Sequence, residues 1–406
     1  IFVHNRLTHS LEVASVGRSL GKAVGERIAA LYGANDEPFT EFYRYELPSV
    51  IASACLAHDI GNPPFGHSGE DAIRAFFNEL DGADKETLDE HLTPNQWADF
   101  RNFEGNSNAF RILTHSYNEP RPGGFGLTYT TLAALVKYPC TSVEGFRKDD
   151  IIARKKSGFF DPEIGTYTHI AETLGIPRLA DGHVYARHPF VYLTEAADDI
   201  CYRVIDLEDA HRLHIISTER FMELFLPFFP DGDDRTYPAR PYIERKLKEI
   251  VDDNQKVQYV RANWIGLMTE KLANVFMDNE AALLAGTLEK DLLKCLPETE
   301  RKLIDDINKY SYKHIYNYRS VAEIEMAGYH VIGGLLRELV QAVLYPDRTK
   351  SAKALKIIPA QFPISGKKED VYHDVLSVVD FISGMTDLFA LDLYRKMTGI
   401  AIPDIR

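Results

Sequence analysis

Residues 50–70 read V-I-A-S-A-C-L-A-H-D-I-G-N-P-P-F-G-H-S-G-E. From 50 to 57 every side chain is apolar or small, which suits a helix buried on all sides better than an exposed amphipathic one. That helix is expected to end at Gly61, ahead of Pro63 and Pro64, which cannot continue it. His58 and Asp59 then stand at a dry helix end, where neighbouring side chains can turn toward one point despite the roughly 100° between successive helical residues. Imidazole plus carboxylate suits Mn, Fe, Ni, Zn or Co, and a water completing the shell suits Mg. Beyond the proline turn, Ser68 and Asp71 form a cap-like box opening the next helix, which leaves His67 and Glu70, three apart, free to touch.

Working outward, apolar positions at Leu7, Leu11, Ala14, Leu20, Val24, Ile28 and Leu31 predict one buried face of a helix ended by Gly33. Gly17, Gly21 and Gly25 share a ridge on it. A helix-interior glycine costs up to about 1 kcal/mol relative to alanine, so three at four-residue spacing predict close approach of another helix. Further helices are expected over 68–80, 106–114, 129–138, 190–213, 242–288, 299–310, 320–343 and 371–398, so the fold class is all-α. Between Pro139 and Pro189 the Gly, Pro and charge content predicts a hairpin or an ordered excursion over the site. The expected domains are a catalytic core over 1–215, with the excursion about 139–189, and a C-terminal helical region over 216–406 completing the site and the oligomer contacts.

The 406 residues carry 46 basic and 60 acidic side chains, a net charge of −14, which disfavours a globally basic nucleic-acid binder. At 45% hydrophobic and 26% charged, the chain is neither disordered nor fibrous. Its four cysteines, Cys55, Cys140, Cys201 and Cys295, form no C-x-x-C pair and read as reduced, packed thiols rather than a zinc ribbon or disulfide framework. No apolar run reaches the ~18 residues of a membrane span; a cytoplasmic location without membrane association is expected. The chain opens at Ile1 and enters a helical pattern within a few residues, so a segment upstream is expected in the complete protein.

Two other segments carry chemistry: R-L-T-H, with Arg6 and His9, and E-A-A-D-D-I-C-Y from Glu195 to Tyr202. On the second, Leu193, Ala197, Ile200, Val204 and Leu207 form the packing stripe, while Glu195, Asp198, Tyr202, Asp206 and Asp209 share another face. Like charges at this spacing repel by a few tenths of a kcal/mol per pair, a cost that a bound cation offsets.

H…HD…D on helices resembles the HD-domain superfamily of metal-dependent phosphohydrolases. H-N-R-L-T-H-S-L-E-V-A, the 50–70 stretch, F-E-G-N-S-N, Y-L-T-E-A-A-D-D-I-C-Y and D-F-I-S-G-M-T-D-L-F-A-L-D resemble, more closely, the deoxyguanosine triphosphate triphosphohydrolase (dGTPase) family over nearly the whole chain. The resemblance implies one divalent metal ion held by His9, His58, Asp59 and Asp198, with Asp199 the alternative to Asp198, and a catalytic pair in which Glu70 orients His67 as proton carrier. It implies phosphate contacts from Arg6, with Asn106 as a further substrate contact, and a sugar site at Tyr202 and Asp206; an acidic chain acting on a triphosphate also needs local positive charge, for which Lys137, at the end of an apolar helix, is a substrate-binding candidate. Asn106 reads equally as a helix N-cap, Lys137 as a helix-end cation and Tyr202 as a core residue. Tyr318, Arg319, Glu323 and Glu325 are candidates for reading the base.

The implied reaction is hydrolysis of dGTP, or of other deoxynucleoside triphosphates, at the α-phosphorus to deoxynucleoside and inorganic triphosphate, by a homo-oligomer, a hexamer by the same resemblance. Alternatives are another HD-type phosphohydrolase acting on nucleoside monophosphates, cyclic nucleotides or guanosine polyphosphates, or a nucleotide-gated binding protein. The local basic strip from Arg147 to Lys156 is the candidate surface for a single-stranded DNA effector.

Overall fold

A computed structural model describes residues 5–116, 123–148, 151–232, 238–316 and 319–401, with the backbone alone at 319–321. The architecture is all-α as expected, and among the described residues the one sheet is a two-stranded antiparallel hairpin, Arg178–Ala180 with Val184–Tyr185, inside the anticipated excursion. The chain gathers into two compact units of interleaved stretches. One comprises Ile1–His58, Thr130–Leu135 and Arg187–Tyr318; the other comprises Asp59–Tyr129, Val136–Ala186 and Arg319–Arg406.

In the first unit the long helix Arg6–Tyr32 lies against Leu47–Ala57. The glycine ridge permits this: a Cβ on Gly17 would stand 2.4 Å from Cys55 Sγ and one on Gly21 3.0 Å from Pro48 Cα, while one on Gly25 would stand only 1.9 Å from the carbonyl oxygen of Tyr43 in the preceding π-helical turn Phe42–Glu46. The expected apolar stripe needs correction at its ends. Leu7, Leu11 and Leu31 are exposed, and burial runs instead through Val13, Val16, Leu20, Val24 and Ile28, a face rotated by the glycine contact. Val191–Arg212 packs on this helix and on Asp253–Asp278, and its predicted stripe from Leu193 to Leu207 is buried throughout. The expected continuous helix over 242–288 is three: Arg240–Glu249, Asp253–Asp278 and Glu280–Ala285. Ile250 and Asp252 are extended and the Asp252 side chain caps the second, while Gly286 closes the third in the left-handed conformation.

The second unit is organised around Arg319–Leu344, which packs on His67–Asn78 and Val371–Ser383. Ile73, Phe77, Phe100, Leu335, Leu336, Leu339, Val375, Val379 and Ile382 form its core. Within the same unit the Arg111 guanidinium is buried between Asp380, at 2.7 to 3.1 Å, and Glu163, at 2.7 Å. The expected helix over 371–398 is broken: Val371–Ser383 stops at Gly384, and the Thr386 side chain caps Asp387–Met397. Helix His67–Asn78 begins one residue earlier than predicted, after Gly66 at φ 59° and without a side-chain cap, so Ser68 is not its N-cap.

Candidate active site

The first turn of Arg6–Tyr32 is fixed by a reciprocal box in which Asn5 Oδ1 accepts the Thr8 N–H at 3.0 Å and Thr8 Oγ1 accepts the Asn5 N–H at 2.9 Å. His9 follows directly, and its Nε2 lies 3.1 Å from Asp198 Oδ1. His58, at the end of Leu47–Ala57, has its Nδ1 2.6 Å from the Cys55 carbonyl oxygen. A carbonyl only accepts, so Nδ1 carries the proton and Nε2 of the neutral ring presents a lone pair. That lone pair lies 3.4 Å from the same Asp198 Oδ1.

Two acceptors face each other there. The arrangement is favourable only with a cation or an additional proton between them, and the three ligand atoms of His9, His58 and Asp198 lie within 4.8 Å of one another. Ligands about 2.0–2.2 Å from a common ion stand at such separations, so the donor set fits a borderline divalent metal.

The neighbouring acids of the Val191–Arg212 helix have separate partners. Asp199 receives Arg203 Nη1 at 2.8 Å, and Glu195 receives Arg187 Nη2 at 2.5 Å. Glu195 of the expected acidic face is thus committed to Arg187, and the alternative ligand Asp199 to Arg203, while Asp198 meets the imidazoles. Asp206, two turns on, accepts a short hydrogen bond from the Tyr316 hydroxyl. Burial pushes the Asp206 carboxyl up to about 6, opposed by that hydrogen bond and by the nearby His9 imidazole. Tyr202 is 40% exposed, not a core residue, and its ring lies parallel to Tyr316 at 6.0 Å.

Sequence reasoning missed Tyr316, which stands 110 positions from Asp206 with no pattern linking the two. It also missed Arg261, which donates to Glu208 at 2.8 Å and pairs with Glu12, tying the helices that carry His9 and Asp198 to a third. Arg6 is exposed on the first helical turn.

In the second unit Asp59 accepts from Asn62 Nδ2 at 2.8 Å. His67 is exposed at the start of its helix, while Glu70 is 1% exposed and accepts the Gly105 N–H at 2.9 Å. Burial, and then the nearby Glu104 carboxylate, raise the Glu70 carboxyl above its ordinary range; Lys156, His67 and the Gly105 N–H oppose the rise. The F-E-G-N-S-N motif has local reasons. A Cβ on Gly105 would lie 2.2 Å from Asn62 Oδ1, Glu104 accepts from Lys156 Nζ and Asn106 Nδ2 at 2.7 Å each, and Asn108 donates to the Gly61 carbonyl at 2.8 Å. Helix Gly105–Thr114 has Glu104 at its N-cap position, so the N-cap alternative for Asn106 falls away.

The P-P-F-G turn before His67 is held from afar. Phe65 adopts φ 65° and donates its N–H to Asp387 Oδ1 at 2.9 Å. Lys137 stands beyond the end of Tyr129–Leu135, near the Tyr138 ring. The basic strip is partly committed: Arg147 donates to the Val143 carbonyl, Arg154 to the Glu144 carbonyl and Lys156 to Glu104. Tyr318 and the Arg319 side chain lie outside the described residues; Glu323 and Glu325 are exposed.

Helices converging two imidazoles and a carboxylate are the arrangement of an HD domain, and the HD domain family matches residues 6–95 while the phosphohydrolase-associated domain matches 294–396. The class is that of HD-domain phosphohydrolases. A deoxyguanosinetriphosphate triphosphohydrolase-like protein of Pseudomonas aeruginosa is 37% identical over 99% of this chain and 87% of its own length. One of Synechocystis is 35% identical over 98% and 87%. A deoxyguanosinetriphosphate triphosphohydrolase of Yersinia pestis is 29% identical over 97% and 87%. The chain belongs to the deoxyguanosinetriphosphate triphosphohydrolase-like family of HD-domain proteins. Among its described residues no helix is long and apolar enough to cross a membrane.

Proposed function

We propose that this chain hydrolyses deoxynucleoside triphosphates, dGTP first among them, at the α-phosphorus, releasing deoxynucleoside and inorganic triphosphate. The observation that carries the reading is the meeting of His9 Nε2, His58 Nε2 and Asp198 Oδ1, with the Cys55 carbonyl selecting the His58 tautomer that can ligate. Asp59, next in the chain to His58, is proposed as the fourth ligand. A bound divalent ion would supply Lewis-acid polarisation of the α-phosphate and a more acidic water.

The chain's own residues supply the rest. His67, exposed and backed by the buried Glu70, carries the proton. Arg6 forks onto phosphate oxygens, with Lys137 and Asn106 as further contacts. Asp206, its carboxylate oriented by Tyr316, accepts from the sugar 3′-hydroxyl, and Tyr202 packs where a 2′-hydroxyl would stand. A homo-oligomer of six copies, a cytoplasmic location and a single-stranded DNA effector complete the proposal by family likeness.

The test is product analysis by ³¹P NMR with Mn or Mg present. Inorganic triphosphate from dGTP supports the reading; dGDP, dGMP or no turnover of any deoxynucleotide overturns it. His67→Ala is expected to keep metal binding while losing most turnover, and turnover retained in that variant removes His67 from the reaction.

A further inference from the structure

Within the first unit, helix Thr218–Phe225, helix Glu298–Ser311 and the π-helical turn Tyr312–Tyr316 line a cavity of about 490 Å³. Its basic and imidazole groups are Arg220, Lys309, Lys313 and His314, against Glu223 and Asp306. Lys309 and Lys313 are i, i+4 neighbours, where like charges repel. No ion pair among the described residues neutralises either, although the chain carries 60 acidic side chains. Tyr310 organises the group: the Arg220 guanidinium lies 4.7 Å from its ring centroid and the His314 ring 4.5 Å away. Glu223 holds Arg220 Nη1 at 2.8 Å, which orients the guanidinium and leaves its remaining N–H groups for another acceptor.

A cavity in the size range of ligand sites, lined by an oriented guanidinium and two lysines without an ion-pair partner among the described residues, suits a compact, multiply charged anion. The Tyr310 ring already carries a guanidinium and an imidazole, so the aromatic surface is committed to holding the cations rather than to stacking a base. We propose that this cavity binds an oligophosphate group, either inorganic triphosphate or the phosphate tail of a nucleotide, through Arg220, Lys309 and Lys313. The site shares no residue with the His9, His58 and Asp198 cluster and does not depend on the reaction proposed above.

The experiment measures acetylation rates of individual lysines by mass spectrometry on the whole chain, stripped of divalent ions by chelation and dialysis. Sodium tripolyphosphate is the probe and Lys302, exposed on the same helix, the internal control. Acetylation of Lys309 and Lys313 is expected to slow by about fivefold or more with Lys302 unchanged, since a bound polyanion masks both amines. Lys313→Gln, at an exposed position, is expected to abolish protection of Lys309, and Arg220→Gln to weaken it. A non-hydrolysable deoxynucleoside triphosphate protecting as well as tripolyphosphate, with deoxyguanosine protecting neither lysine, identifies the phosphate group as what is recognised. Equal slowing of all three lysines, no slowing, protection that survives Lys313→Gln, or protection by deoxyguanosine each overturns the proposal.

Discussion

Asp387→Ala removes the carboxylate that accepts the Phe65 N–H at 2.9 Å. Phe65 is held at φ 65°, a left-handed conformation that costs a non-glycine residue roughly 1–2 kcal/mol. A hydrogen bond to a charged acceptor contributes about 1.5–3 kcal/mol, and the exposed position of Asp387 puts this one at the lower end. Its loss is therefore enough to let Phe65 relax, and ~1.5 kcal/mol corresponds to about a tenfold smaller ratio of native to relaxed turn. His67 follows two residues later, with Gly66, at φ 59°, between them. If His67 moves the proton in the proposed reaction, kcat for dGTP falls by up to about tenfold while KM stays within about twofold, because the turn positions a group used in the transition state. Asp387→Asn retains an acceptor oxygen and should recover most of the rate. Steady-state kinetics on the two variants, alongside thermal unfolding, decides: wild-type kcat in Asp387→Ala, or a loss of thermal stability with kcat unchanged, refutes the chain of reasoning from turn to proton carrier.

Asp198→Asn should weaken Mn binding by about a hundredfold or more in titration calorimetry, whereas Asp199→Asn, whose carboxylate serves Arg203, should leave it unchanged; equal losses would leave Asp198 without a special role. Burial, the largest cause for each, pushes Asp99 and Glu163 up to about 7, above their unfolded values, so the native state binds more protons than the unfolded chain across that interval. Stability then rises as pH falls from about 8, and below about 6.5 it rises less steeply, because His188, pushed down to about 4 by burial, takes up its proton first in the unfolded chain and offsets one of the two carboxyls. A thermal midpoint that is flat or falls over that interval contradicts the assignment. Gly25→Ala would place a Cβ 1.9 Å from the Tyr43 carbonyl, a backbone atom with little freedom to yield, and should destabilise the chain by about 1–3 kcal/mol or more in urea unfolding. An unchanged midpoint would mean that Arg6–Tyr32 and the turn Phe42–Glu46 are not in contact there.

Local signals were legible wherever the physics was local. Helical spacing located the packing stripe of Val191–Arg212, and glycines at four-residue intervals announced the close helix pair in the first unit. Helix ends were read less well. The breaks at Asp252 and at Gly384 rest on one or two residues inside long periodic stretches, and periodicity averages over them. Leu7 and Leu11 show the converse error: apolar spacing predicted burial that the glycine contact assigns to another face.

By itself the sequence determined the helical class, the family motifs, and the residue types able to hold a divalent ion, because side-chain chemistry and a 3.6-residue period are properties of short segments. Only the tertiary structure decided which acid meets which partner. Asp198 faces His9 and His58 while Asp199 faces Arg203; Tyr316 reaches Asp206; Asp387 pins the turn before His67. Each of these pairings except Asp199 with Arg203 joins residues far apart along the chain, and those joins depend on how whole helices pack, which no local pattern records.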